Sequence, residues 1–341
     1  MIRSIQILRA IAALSVVFTH YNFLHFKVGG FGVDIFFIIS GFIITYMVNK
    51  DSAAFLYKRA LRIIPLYYLM TFAAVALAMI RPDWFLHESI NVSAVVKSLC
   101  FIPYTENGGG PILSLGWSLN YEIFFYLLMY VCIRLFSPQN RVWMCMFILL
   151  CIFLIIHFFN PQNYMLAFYG RSIILEFILG SLLYYFWKNY HPIIKKTPFV
   201  KNTCIGIGML SYGVLIYMDY LDLPYNRFLH LGVPALLFVN GFLLLEDKIR
   251  QENILHRFFL RLGDASYVIY LLHLYVIFAC IRVIYPMIPM QNILLSIFEL
   301  VFAFGVVCYL SIAIHQKIEM PIIQKIKSIF DSIFLKKIKS E

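Results

Sequence analysis

The chain is 341 residues long, 62% hydrophobic and only 13% charged, with a formal net charge of +11 and a mean hydropathy of +0.82. Soluble domains carry about 25% charged residues and seldom run about 18 apolar residues together. These figures exclude a soluble enzyme and indicate a chain threaded repeatedly through a bilayer. The positive charge does not indicate nucleic acid, because Lys and Arg gather at the ends of apolar segments, where anionic lipid holds them.

The first apolar segment, 5–24, contains "LRAIAALSVVFTH" at 8–20. No small-residue cleavage site follows convincingly, so it is read as a retained helix rather than a removed leader. An ionisable residue at membrane depth costs roughly 2.5–3.5 kcal/mol on insertion scales and needs a partner, a wet cavity or a role. Arg9 and His20 are eleven positions apart. On a helix that is three turns plus roughly 20°, so both share one face about 16 Å apart along the axis. A shared polar face looks into a bundle rather than into lipid.

The second segment, 31–48, enters through "GGFGVDIFFIISGF" at 29–42. Gly29, Gly30 and Gly32 suit a tight re-entry turn. Asp34 lies near the depth of His20, where a carboxylate either holds the imidazole in one tautomer, as the third member of a triad does, or caps the helix start. Ser40 and Gly41 leave room for a neighbouring backbone or a thin ligand at mid-membrane. The third segment, 63–80, is preceded by "FLYKRALRIIPLYY". Arg59 and Arg62 share a face there. Two guanidiniums can fork onto phosphate oxygens, although spacing alone favours ordinary flanking cations. Cations at one mouth and a histidine about 16 Å deeper fit a long donor with phosphates at one end and its reactive group at the other, the shape of a coenzyme A thioester.

The remaining apolar segments are 112–133, 142–159, 172–187, 202–218, 228–245, 266–285 and 293–315. Ten helices near the bilayer length are therefore predicted, because an open strand in lipid would leave backbone groups unpaired. With the N-terminus inside, 21 of the 28 Lys and Arg fall on inner segments, six on outer ones, and Arg9 within the first span. That bias predicts an all-α polytopic bundle with both termini in the cytoplasm. Residues 1–318 form the membrane domain in this reading, and 319–341 a basic amphipathic tail lying on the inner face. The seven cysteines, without a CxxC pair, read as small apolar fillers.

Read in order, the motifs resemble the bacterial membrane acyltransferases called acyltransferase family 3. They are R-x10-H at Arg9 and His20, "GGFGVDIFFIISGF" at 29–42, F-x3-R-x2-R-I-x-P-x-Y from Phe55 to Tyr67, and "WSLNYEIFFY" at 117–126. "EFILG" at 176–180, "GDASYVIYLLH" at 263–273, and H-x3-E-x-P at His315, Glu319 and Pro321 complete the set. The resemblance implies transfer of an acyl group, most often acetyl from acetyl-CoA as co-substrate with no bound cofactor, to a hydroxyl of an extracytoplasmic or lipid-linked glycan. It implies a multi-pass protein of the bacterial cytoplasmic membrane, here in a stand-alone form. By motif, His20 is the central catalytic residue with Arg9 as companion. Arg59 and Arg62 match the arginine pair associated with the acyl-CoA, which reverses the preference for flanking cations. His20 acts either as general base on the acceptor hydroxyl or as an acyl-imidazole carrier.

Glu122, mid-span in the fourth segment, reads as an acceptor or His contact, or as a buried partner for an arginine or tyrosine; buried charges are usually paired. Glu319 is expected to pair with Arg59 or Arg62. His273 either lines a cavity or is a hydrogen-bonded core residue. The long outer segment Arg81 to Pro111 either shapes a sugar entrance, with the nearby Trp117 and Tyr121 offering aromatic faces to the ring, or is a flexible connector. His25, His87, His157, His191, His230 and His256 lack metal-ligand spacing, so no metal site is predicted. The competing readings are a transporter or flippase for a lipid-linked sugar, in which buried Arg and His line a substrate path, and a non-catalytic scaffold.

Overall fold

The computed structural model describes residues 2–21, 28–81, 90–105, 110–221, 226–249, 253–284 and 293–338. Among these there is no strand. In chain order the helices are α1 (Arg3–Tyr21), α2 (Gly32–Lys50), α3 (Phe55–Ile80), α4 (Val92–Leu99) and α5 (Gly116–Leu135). Next come α6 (Arg141–Phe159), α7 (Tyr164–Tyr169), α8 (Leu175–Lys196), α9 (Pro198–Leu221) and α10 (Val233–Leu243), the last entered through a π-helical turn at Phe228–Gly232. Finally there are α11 (Glu246–Ile249), α12 (Ile254–Asp264), α13 (Ser266–Ala279), α14 (Ile293–Ile314) and α15 (Met320–Ile338).

Over their described residues, all ten predicted apolar segments lie mainly on helices. Among the described residues, eight stretches are long and apolar enough to cross a bilayer: α1, α2, α3, α5, α6, α9, α13 with its extension to Val283, and a continuous run from Ile297 to Phe330. The other two predicted segments lie on α8, which ends in Lys195 and Lys196, and on the shorter apolar stretch Phe228–Leu243. The segment expected to be a separate tail continues α14 without a helical break, through a π-helical turn at His315–Glu319. It packs back on α3, where Phe330 stacks on Tyr57 with ring centroids 4.1 Å apart.

α1, α2 and α13 form the buried heart of the bundle, with Leu8, Ala13, Ile35, Ile38, Ile269 and Leu271 all closed off. α6, α9 and α14 lie outside, presenting Phe147, Phe158, Leu210, Val301 and Tyr309. In water that surface would drive aggregation; in a bilayer it is ordinary lipid-facing surface. α1 and α13 run side by side in the same direction, tied by Gln6 to Asp264, the last residue of α12, at one end and by His20 to His273 at the other.

The α2–α8 crossing sets the depth of the site. A Cβ at Gly41 would lie 2.2 Å from the Phe177 carbonyl oxygen, and one at Gly180 2.1 Å from that of Ile38. Only hydrogen at both positions lets the backbones meet this closely, as in small-residue crossings within membranes. Before α2 the chain turns at Gly29, whose φ of +123° is unfavourable for an L side chain. The Asp219 carboxylate fastens that turn, accepting from the Gly29 and Gly30 N–H groups at 2.6 and 2.8 Å.

Candidate active site

Between α1, α2, α3, α5 and α13 lies a cavity of about 60 Å³, lined by Arg9, Ser40, Arg59, Arg62, Glu122 and Tyr126 among others. It has room for a few waters, well short of the roughly 300–1,000 Å³ of ligand pockets. Five residues singled out in the sequence thus converge from four helices: Arg9 from α1, Ser40 from α2, Arg59 and Arg62 from α3, Glu122 from α5. Arg9 and Arg59 are buried. Glu122 is the one carboxylate among the lining residues, and its Oε1 accepts from Ser40 Oγ at 3.1 Å and from the Tyr126 hydroxyl. It therefore attracts Arg9 and Arg59 from within the cavity while serving two hydroxyls. The arginines have few further partners: Arg59 donates to the Tyr126 hydroxyl, and Asp264 and Glu319 act on Arg9 by charge. Arg9 donates to Gln6 Oε1 at 3.3 Å, Arg59 Nη2 lies 3.1 Å from Met47 Sδ, and the buried Arg59 Nε has no acceptor. Three guanidiniums with one carboxylate among the lining residues, and with Asp264 and Glu319 acting on Arg9 from outside the lining, make a cavity suited to a phosphate group.

His20 does not line this cavity. It stands exposed at the far end of α1, with Nδ1 2.9 Å from the Val16 carbonyl oxygen. Its neighbour is His273, completely buried on α13. His273 Nδ1 lies 3.0 Å from the Ile269 carbonyl oxygen and Nε2 3.4 Å from His20 Nδ1. The sequence placed His273 as cavity lining or core; it is a core residue that reaches the catalytic candidate. Tyr270 joins the two regions. Its ring lines the arginine cavity and lies 6.2 Å from His273, centroid to centroid, while its hydroxyl bonds Ser118 Oγ at 2.6 Å.

Three expectations are corrected. Asp34 does not hold His20 and makes no side-chain cap on α2. Its carboxylate is gripped by Arg227, Nε to Oδ1 at 3.0 Å and Nη2 to Oδ2 at 2.7 Å. It sits in the first turn of α2, facing α8 and the π-helical turn before α10, beside the buried Glu176. Glu319 pairs with neither Arg59 nor Arg62. It takes His315 Nδ1 at 2.6 Å, one turn away on the same helix, and acts on Arg9 by charge alone. Tyr121 offers no face to a sugar: it is fully buried, stacked on Phe168 at 4.2 Å, with its hydroxyl on the Phe168 carbonyl. Trp117 is half-buried and lines a wide pocket of about 830 Å³ with Tyr164, Phe168, Arg171, Asn226 and Arg227. Its indole stands edge-on to Phe37, centroids 6.5 Å apart, and Phe37 lines the arginine cavity. These two rings stand between the pockets.

His25 and His87 lie outside the described residues, as do 82–89 and 106–109 of the long outer segment. Among the described residues no three His, Cys, Asp or Glu side chains gather as metal ligands would. Sequence reasoning passed over Tyr126, Ser118 and Tyr270, all cavity-lining. Tyr126 stands one turn from Glu122 and Tyr270 nearly one turn before His273, so helical spacing was the available signal.

A helical bundle with apolar flanks, a cationic cavity and a histidine pair one turn beyond it defines a multi-pass membrane protein. A family model described as an acyltransferase domain matches residues 2–316. The chain belongs to that acyltransferase family. It is 33% identical to the exopolysaccharide production protein ExoZ of Rhizobium meliloti (strain 1021), over 74% of this chain and 78% of that one. It is 28% identical to YrhL of Bacillus subtilis (strain 168), whose name assigns it to peptidoglycan O-acetylation, over 97% of this chain and 56% of that one. With the O-acetyltransferase OatA of Staphylococcus aureus (strain NCTC 8325 / PS 47) the identity is 24%, over 78% and 49%. The chain therefore spans about half the length of the latter two. No solved structure matches it.

Proposed function

We propose that this acyltransferase moves an acetyl or short acyl group from cytoplasmic acyl-CoA to a hydroxyl of an extracytoplasmic or lipid-linked glycan. It would do so in the bacterial cytoplasmic membrane with both termini inside. The observation that carries this reading is the cavity holding Arg9, Arg59 and Arg62 against the single carboxylate of Glu122. With Arg9 and Arg59 buried and Arg62 half-buried, that positive charge is costly without an anion, and the phosphates of coenzyme A supply one. The relatives named for exopolysaccharide production and O-acetylation support a glycan acceptor. The wide pocket at Trp117 gives such an acceptor an aromatic face. Because the arginine cavity is narrow, α2, α3, α5 and α13 part to admit the thioester arm. His20 Nε2 then takes the acceptor hydroxyl proton as its oxygen attacks the thioester carbonyl. The C–O bond forms, the C–S bond breaks, and the proton passes to the departing thiolate.

The test is release of free CoA from radiolabelled acetyl-CoA by the purified protein in nanodiscs, with and without mixed envelope glycans. Acceptor-stimulated release is expected, falling roughly 10²–10⁴-fold in His20→Ala. Arg59→Ala/Arg62→Ala is expected to raise the donor KM at least about tenfold. No binding of acetyl-CoA would overturn this reading and favour a sugar transporter.

A further inference from the structure

A catalytic histidine needs its second ring nitrogen held, and the residue expected to hold His20 is committed elsewhere: both oxygens of Asp34 are taken by Arg227. His273 occupies the vacant role. Carbonyl oxygens only accept, so the contacts of His20 Nδ1 with Val16 and of His273 Nδ1 with Ile269 place the proton of each neutral ring on Nδ1. His273 Nε2 is then a bare lone pair, and it lies 3.4 Å from His20 Nδ1. The His20 N–H is thus shared between the Val16 carbonyl and the His273 ring. One tautomer of His20 is fixed, and its Nε2 is left as the free lone pair at the exposed end of α1.

We infer that His273 is the positioning residue for His20 in the acyl transfer, a neutral histidine standing where soluble triads use a carboxylate. This rests on the reading above and deepens it. During transfer the acceptor proton goes to His20 Nε2, and the positive charge that develops on the ring is shared through Nδ1–H with the His273 lone pair. The proton then leaves for the CoA thiolate, so His273 gains and loses none. A buried imidazole suits the bilayer better than a carboxylate, since it accepts the hydrogen bond without a charge to desolvate. The ring is completely buried and sits edge-on to His20 with centroids 5.0 Å apart, so its position is set by the packing of α13 against α1.

The test compares His273→Leu, which fills similar volume and cannot accept, with His273→Gln, whose side-chain oxygen reaches the position of Nε2. Each is assayed in nanodiscs for kcat, for donor KM, and for the rate at which diethylpyrocarbonate modifies His20 without substrate, followed by peptide mass spectrometry. His273→Leu is expected to lose roughly 10²-fold in kcat with donor KM held within about twofold, and His273→Gln to recover at least about tenfold of that loss. Modification of His20 is expected to slow in the Leu variant and recover in the Gln variant. Equal kcat and equal modification rates in the two variants would overturn the proposal, and so would a Leu variant within about threefold of wild type. If wild type turns over no acetyl-CoA the reaction assigned above is wrong, and the modification rates still decide whether His273 governs His20.

Discussion

The two charged regions of this bundle are organised in opposite ways. On the side of α2 facing α8 and α10 carboxylates outnumber the one arginine, and that arginine is closed: Asp34 holds Arg227 through two hydrogen bonds, Asp219 caps two backbone N–H groups, and the buried Glu176 beside them has no hydrogen-bond partner on either oxygen among the described residues. In the cavity between α2, α3 and α5, three arginines line the wall with one carboxylate, Arg9 is drawn also by Asp264 and Glu319 outside it, and Arg59 leaves a buried Nε without an acceptor. Buried charge is tolerated when it is paired and costly when it is not. In the proposed reading, a fold that closes the arginine of one region and leaves those of the other short of acceptors has left the second for an anionic ligand. The contrast predicts that removing charge from the first region costs stability, and from the second donor affinity.

The largest effect expected outside the reacting groups is at Asp34. Asp34→Asn leaves Arg227 facing an amide, with Glu176 still buried beside it. Asp34 is fully buried whereas the Arg227 side chain is 36% exposed, so the loss is about 2–3 kcal/mol, below the roughly 3–5 kcal/mol of a fully buried broken pair. Thermal denaturation in nanodiscs should show it, with donor KM within about twofold of wild type. A raised donor KM at unchanged stability would place Asp34 in the donor site and dissolve the distinction between the regions.

Next in size is the support both regions share. Gly180→Ala drives a methyl group into backbone, 2.1 Å from the Ile38 carbonyl oxygen and 2.9 Å from the Phe42 nitrogen. No side chain can rotate away from that contact, so about 1–3 kcal/mol is lost. Because α2 carries both Asp34 and Ser40, melting temperature and kcat should fall together. A variant with lowered stability but full kcat would show that the cavity does not depend on the depth of α2.

The elements and the cavity were legible in the sequence for a physical reason. Apolar run length reports a bilayer directly. Arg9, Ser40 and Glu122 stood out as polar residues inside such runs, Arg59 and Arg62 as cations at the entrance to one, and all five meet in one cavity. The partners were not legible, because pairing across a bundle depends on helix arrangement. Arg227 is 193 positions from Asp34, and His273 is 253 from His20; nothing in either local pattern names the other. Glu319 differs. His315 sits one turn before it and takes it at 2.6 Å, so the spacing rule for neighbouring helical residues applied, and a distant arginine was preferred to the partner already at hand.

The smallest expected effect is a control for both regions. Asp51, in the turn between α2 and α3, is exposed. The Ala53 N–H and then the Lys58 ammonium hold its carboxyl below its usual value of 3.8, through contacts of 2.8 and 3.1 Å. A carboxylate favoured in the folded state contributes stability above its unfolded pKa and loses it as pH falls through the folded one. Asp51→Asn should therefore lie slightly below wild type in melting temperature at pH 5, and the gap should close as the pH drops below 3.8. Because solvent screens such a pair, the gap at pH 5 should be far smaller than that of Asp34→Asn at the same pH. Equal gaps would mean that burial is not what separates the closed charges of this bundle from its surface pairs. The cavity's unmatched arginines would then say nothing about a ligand.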